Sequence, residues 1–280
     1  MTITAAQIKA LREKTGMGFM ECKKALVEND GDEQKAIVYL RERGMSRASK
    51  KAERSAGEGT VSVKVSDDCK KGVLVELNCE TDFVSSSADF KAFLAEITTL
   101  ALDNNCKSAD ELKPIKMSDG NTVESNLTNL IAKIGENIKL RRVAYLSTTD
   151  GIIAGYSHFT SKLGSLVDVE GSTSDKAKEV AKEIAIHVAA CSPKYLNPES
   201  VDATELNQEK ELARKHLLEQ GKPENMIDKI LVGQMNKFYS EVCLLNQPFV
   251  KDQKISVSDY LKGSGEALSV KTYTRFQLGN

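Results

Sequence analysis

The spacing of apolar positions changes several times along the chain, and each change marks the edge of an element. In "TAAQIKALREKTG" the residues Ala5, Ile8 and Leu11 recur at helical spacing behind Thr4 and Gln7, a capping-box pair whose side chains satisfy free backbone donors at a helix start. A first helix is predicted to end near Thr15-Gly16. A second covers "FMECKKALVEN", with Met20, Ala25 and Leu26 inward and a stop at Gly31. A third, capped by Asp32, covers "EQKAIVYLRERG" and closes at Gly44. The stretch "RERGMSRASKKAERSAGEGT" is rich in charge and poor in large apolar residues, as suits an exposed or only partly helical linker. A domain boundary is expected near residue 54.

From Gly59 the period becomes two. "TVSVKV" and "VLVELNC", joined by a polar turn from Asp67-Asp68 to Gly72, predict an antiparallel hairpin. The helix "ADFKAFLAEITTLAL" follows, with Phe90, Phe93, Leu94, Ile97 and Leu100 on one face. A short helix capped by Ser108 and Glu111 comes next, then "VESNLTNLIAKIG", which stacks Val123, Leu127, Leu130, Ile131 and Ile134 and breaks at Gly135. Strand signals return in "IKLRRVAYLS", "IIAGYSH" and "SLVDVEG", before the helix "SDKAKEVAKEIAIHVAAC". Strands followed by a helix therefore occur at 59–102 and again at 138–191, as in a degenerate internal repeat.

Around Gly221-Lys222-Pro223 the pattern is of another kind. Glycine ending one helix and proline at the first position of the next is the asymmetry of a helical reversal. One arm offers Leu206, Ala213 and Leu217, the other Met226, Ile227, Ile230, Leu231, Met235 and Phe238, so an antiparallel helical hairpin projecting from the body is expected. A short helix at "SVSDYLKG" and a last strand, "LSVKTYTRFQLG", follow, the strand completing the second sheet. The expected fold class is α+β. Residues 1–54 form an N-terminal three-helix module with its linker, and 55–140 and 141–280 form two related subdomains with antiparallel sheets, the hairpin being inserted at about 198–242.

Composition narrows the functional classes. With 280 residues, 40% of them hydrophobic, the chain is long enough to bury a large core. Lys plus Arg at 39 against Asp plus Glu at 40 leaves a net charge of -1, which argues against direct nucleic-acid binding. No run of about 18 apolar residues occurs, and "MTITAAQIKALREKTG" lacks a cationic region followed by an apolar one, so neither a membrane span nor a signal peptide is expected. Cys22, Cys69, Cys79, Cys106, Cys191 and Cys243 lie far apart without a C-x-x-C pair, as reduced, mostly buried thiols of a cytoplasmic protein do, and no metal site is expected.

Candidate chemistry is sparse. The histidines are His158, His187 and His216. His187, on an apolar helix face, reads as a core residue, His216 as solvated, and His158 ends a strand. No G-x-S-x-G, H-E-x-x-H or G-x-x-x-x-G-K-[ST] is present, so neither catalysis nor nucleotide binding by this chain itself is indicated. An enzymatic alternative gives Cys79 or Cys191 a nucleophilic role beside a histidine. Met17, Phe19 and Met20, Phe83 and Ile134 instead place apolar side chains on connections. Any one of them tucks back onto its own domain more often than not, but as a set they point to a protein partner. Among them "ETDFVSSS" is the most pointed, because Asp82 and Phe83 stand side by side where a strand has just ended.

"IKALREKTGMGFMECKKAL", "VELNCETDFV", "IAKIGENIKLRRVA" and "IAIHVAACSPKYLNP", continued by the "GKP" hairpin and "NQPFV", resemble the bacterial elongation factor Ts family in order and spacing over nearly the whole chain. The resemblance implies a guanine nucleotide exchange factor for the GTPase elongation factor Tu, with an N-terminal module similar to a ubiquitin-associated domain, two related core subdomains and a coiled-coil hairpin. It implies no enzymatic activity and no cofactor. It also implies that Phe83 wedges between helices of the GTPase while Asp82, next to Thr81, makes polar contacts there, disturbing the region that holds magnesium. Arg12, Phe19, Met20 and Lys23 match the N-terminal segment that contacts the partner. Ile134, Gly135 and His158 match core positions approaching it, and Val250, followed here by Lys251, matches an apolar contact with a more distal partner domain. An alternative rests on "MGF", which resembles the ubiquitin-contacting loop of ubiquitin-associated domains. It accounts for about the first 45 residues, and saturable binding of ubiquitin would support it.

Overall fold

A computed structural model describes residues 3–279, excepting the side chains of 47 and 48; Met1, Thr2 and Asn280, which the expectations for the two ends include, lie outside it. The elements run α1 (Ala5–Thr15), α2 (Phe19–Glu28), α3 (Glu33–Lys51), β1 (Glu58–Val65), β2 (Lys71–Cys79), α4 (Asp82–Ser86), α5 (Ala88–Asp103), α6 (Ala109–Leu112), α7 (Val123–Ile134) and β3 (Ile138–Ser147). They continue with β4 (Gly151–Ser157), β5 (Leu163–Glu170), α8 (Asp175–Cys191), α9 (Ala203–Glu219), α10 (Glu224–Val242), β6 (Pro248–Phe249), β7 (Asp252–Ser256), α11 (Val257–Gly263) and β8 (Ser269–Gln277). The expected α+β class holds, with antiparallel sheets behind an N-terminal helical module.

The Thr4–Gln7 capping box forms at the start of α1 as the sequence predicts. Met17 departs from the exposed connection expected of it, and Met20 leaves the inward face expected in the second helix while keeping the exposure expected of a partner-facing residue. Met17 is buried with Ile8, Leu11, Cys22, Ala25 and Leu26 in the module's core, while Met20 faces solvent. The third helix does not close at Gly44 but runs on to Lys51. Gly44 serves as a contact point instead: a Cβ there would stand 3.2 Å from the Ala132 Cβ of α7, so the missing side chain lets α3 and α7 approach closely. That tertiary contact keeps the charged stretch helical beyond a residue that usually marks a helix end.

Two three-stranded antiparallel sheets, in the orders β1-β2-β3 and β4-β5-β8, stack face to face. Helices α5 and α7 cover the outer face of the first sheet, and α8 and α11 that of the second. Because β2 and β5 are covered on both faces, they read as continuous apolar runs rather than alternating ones. Val73, Val75, Leu77 and Cys79 point to the helices, while Val61 and Leu74 meet Ile153, Leu166 and Phe276 between the sheets. This inner layer is thin because glycines form part of it. A Cβ on Gly72 would come within 2.6 Å of Ile153, and one on Gly164 within 2.6 Å of Val63.

The internal repeat is present with a different phase. Strand β3 pairs with β2, closing the first sheet at Ser147, rather than opening the second copy at 138. Each copy is a hairpin, a covering helix and a returning third strand, β3 in one and β8 in the other. Both third strands meet the central strand through a bulge, after Glu76 in β2 and after Asp168 in β5. A bulge sets two residues against one. In the first copy it delivers Arg141 and Arg142, which bind Glu76 from both sides. In the second, Lys271 turns to Glu170 at 2.6 Å, leaving Asp168 buried with one carboxylate oxygen unpartnered.

Burial accordingly raises the Asp168 pKa, against the opposing hydrogen bond of Thr148. A carboxyl with a raised folded pKa holds its proton longer folded than unfolded, so its cost is absent at low pH and grows as pH rises above the ordinary value of 3.8. Asp168→Asn is therefore expected to melt above the wild type at neutral pH, and the gap to shrink as pH falls below that value. Calorimetry of both proteins across pH reads this directly, and a gap independent of pH would refute it.

The helical hairpin is formed by α9 and α10, with Leu217, Ile227 and Met235 buried along its seam. Met226 departs from the expected seam and faces solvent, and Pro223 caps α10 one position before its first turn.

Candidate functional site

Strand β2 ends at Cys79, and the chain turns at once into the five-residue helix α4. Thr81 is the reason. Its hydroxyl accepts from the Val84 amide at 3.4 Å and donates to Glu136 Oε1 at 2.8 Å, while its own amide donates to Glu136 Oε2 at 3.0 Å. Val84 is buried below and Ser87 caps the next helix through the Phe90 amide, so both ends of the short helix are fixed. Asp82 and Phe83 occupy its outer side, and Phe83 leaves 84% of its surface in solvent. A ring of that size held outward on a pinned helix leaves apolar area uncovered within this chain.

Glu136 follows Ile134 and Gly135 at the end of α7, so the core positions singled out from sequence stand beside α4. Gly135 takes a left-handed φ of 89° as the C-cap, and its carbonyl accepts from Lys51 of α3. Ile134 is not the exposed contact expected; it is half-buried against the core of the first subdomain. Lys133 of α7 pairs with Asp89 at 2.8 Å, and its stem lies against Gly16, between α1 and α2. The α1–α2 connection, the end of α7 and α4 are thus linked by direct contacts. Arg12, Phe19, Met20 and Lys23 are exposed on the helical module, with Met17 and Met20 lining a cleft of about 320 Å³ that reaches Ala132. Of the "MGF" triplet Phe19 is available at the surface and Met17 is not.

His158 sits at the β4–β5 tip, half-buried, with Nδ1 2.8 Å from the Thr160 hydroxyl. The tip is fastened to the first sheet: the Val61 amide donates to the Ser161 carbonyl at 2.7 Å, and Lys162 pairs with Glu58 at 2.7 Å. Phe159, which the sequence reading passed over, is the most exposed large apolar residue among those described, at 89%. An isolated ring in the polar run "SHFTSK" was the available signal. Val250 belongs to a different neighbourhood, packed against the second core with its amide donating to His187 Nδ1 at 3.1 Å. Lys251 next to it pairs with Glu183 at 2.7 Å.

Neither thiol of the enzymatic alternative, Cys79 or Cys191, is prepared as a nucleophile. His187 is fully buried, accepts at Nδ1 and meets Gln247 Oε1 at 3.0 Å through Nε2; burial lowers its pKa, so it is a neutral core residue. Burial, reinforced by Glu136, pushes the Cys79 thiol up to about 11, and burial raises Cys191 as well. Neither supplies appreciable thiolate at neutral pH. Among the described residues no cluster of His, Cys, Asp and Glu is arranged to hold a metal ion, and no helix is long and apolar enough to cross a membrane.

The family model described as elongation factor TS matches residues 80–280. Elongation factor Ts of Chlorobaculum tepidum is 44% identical over 99% of both chains, and that of Halothermothrix orenii is 44% identical over all of this chain and 93% of its own. The chain belongs to the elongation factor Ts family. The factor of Clostridium botulinum, 41% identical, aligns with 99% of the chain and 93% of its own length, so the similarity includes the helical module that precedes the family-model match. Membership makes the chain a translation elongation factor, and the exposed Asp82–Phe83 pair lies within the matched span.

Proposed function

We propose that this chain is the guanine nucleotide exchange factor of elongation factor Tu, and that it promotes GDP release by disturbing the magnesium and phosphate site of that GTPase. The observation that carries the reading is Phe83, exposed beside Asp82 on a helix that Thr81 and Glu136 hold in place. A GTPase retains its nucleotide through magnesium bridging the phosphates and backbone donors cradling them. A ring inserted between neighbouring helices displaces those groups and uncovers the charge of a polyanion. No covalent step is involved, and this chain itself binds no nucleotide, nucleic acid or membrane in the cycle. It acts in the cytoplasm, with the translating pool of the GTPase.

Arg12, Phe19, Met20 and Lys23 form a second contact on the helical module, adjoining the wedge through α7. Ile134, Gly135 and His158 are core positions that approach the same partner, and Val250 reaches a separate part of it. Release of a fluorescent GDP analogue from elongation factor Tu, followed by stopped flow with and without the full chain, tests the proposal. Acceleration that saturates with factor concentration is expected, and an unchanged rate at high factor would overturn it.

A further inference from the structure

We infer that Phe159 is a second aromatic anchor for the same GTPase, one that sets how tightly the factor binds rather than how fast nucleotide leaves once it is bound. The inference rests on the exchange-factor reading above. Two rings, Phe83 and Phe159, are more than four-fifths exposed, and they belong to different halves of the molecule. The segments that carry them are nevertheless tied together at one end of the two sheets. Glu58, which pairs with Lys162 just past Phe159, stands opposite Cys79 in the β1–β2 register, two residues before Thr81. Lys162 is also close enough to feel the charge of Asp82. A surface that receives Phe83 therefore extends to the β4–β5 tip, and the same partner is the occupant that continuity selects.

The two rings are mounted differently. Phe83 stands on a helix clamped at its cap and floor. Phe159 stands on a tight turn, closed by the Ser161 amide on the His158 carbonyl at 2.8 Å and by Ser161 at a φ of 55°. The His158 ring lies 4.3 Å from it, centroid to centroid, tilted by 40°. Tilted against its neighbour on a turn apart from α4, the Phe159 ring presents most of its surface outward as an apolar contact. A contact of that kind is kept whether or not nucleotide is present, and uniform binding changes the concentration at which the factor works without changing its limiting effect.

The experiment is GDP release from elongation factor Tu as a function of factor concentration, using full-length wild type, Phe159→Ala, Phe159→Leu and Phe83→Ala. Phe159→Ala is expected to raise the half-saturating concentration about tenfold with the plateau rate unchanged, and Phe159→Leu to recover most of the loss. Phe83→Ala is expected to lower the plateau. A wild-type half-saturation in Phe159→Ala, or a lowered plateau in its place, overturns the inference while leaving the wedge standing. If the wild type itself gives no acceleration, the exchange reading fails, and that failure is distinct from the first.

Discussion

Replacing Phe83 by alanine is expected to slow factor-stimulated GDP release by an order of magnitude or more while leaving the melting temperature at the wild-type value. The two halves of that expectation have separate physical grounds. Phe83 makes little contact within its own chain, so truncating it removes little native packing, and α4 keeps Thr81, Val84 and Ser87. Burying a phenylalanine in a partner is worth about 1.5 to 3 kcal/mol, or a factor of roughly ten to a hundred or more in an equilibrium. Where that energy is gained only when nucleotide is loosened, its loss slows release directly. Reciprocity sharpens the test. A wedge that weakens nucleotide must be weakened by nucleotide to the same extent, so Phe83→Ala should also narrow the gap between the factor's affinities for empty and GDP-loaded GTPase. Stopped-flow release and equilibrium titration measure the two effects independently. A variant that releases GDP at the wild-type rate would remove Phe83 from the mechanism.

The elements were legible wherever local chemistry decides them. Thr4 with Gln7, Asp32 and Ser108 cap helices as their side chains require, and the period of two locates β1 and β2. Phe83 was legible too, because an aromatic directly after a strand end and a capping threonine has no local core to enter. What failed depends on contacts between distant segments. Gly44 reads as a helix end until Ala132 is seen against it. Met17 and Met20 are chemically alike, and the fold alone decides which of them turns inward. Strand β3 carries the same signal whether it closes one sheet or opens the next, and its pairing with β2 is settled by register. Phe159 is conspicuous only once the turn carrying it is tied to β1 through Ser161. In each case period and propensity describe a residue's own element, and the missing information is which element lies opposite.

That dependence on opposing elements gives the largest expected effect on stability. Glu76 is fully buried, yet it carries a carboxylate with Arg141 Nη1 at 2.9 Å and Arg142 Nε at 2.6 Å. Arg142 also donates to the Gln277 carbonyl of β8 at 3.0 Å, and its guanidinium lies 4.3 Å from the centre of the Phe276 ring. The Glu76 clamp therefore fixes the bulge in the first sheet and ties that sheet to the second. Glu76→Ala leaves two guanidinium groups crowded together without their counter-charge, and because both guanidiniums keep about a third of their surface in solvent, losing these charge-assisted hydrogen bonds costs about 1.5 to 3 kcal/mol. The variant is expected to lose that much in urea unfolding monitored by circular dichroism. Removing the facing charge as well should return part of the loss, so Glu76→Ala with Arg142→Ala is expected to cost less than the sum of the single variants. Strict additivity would show that the carboxylate and the guanidinium stabilise the fold separately. Asp168 offers an internal contrast, since it occupies the matching place beside the other bulge without an arginine facing it. Neutralising Glu76 removes a satisfied charge and destabilises; neutralising Asp168 removes one that is only partly satisfied and stabilises. The opposite signs follow from whether the bulge delivers arginines, as at 141 and 142, or a lysine that pairs elsewhere, as at 271.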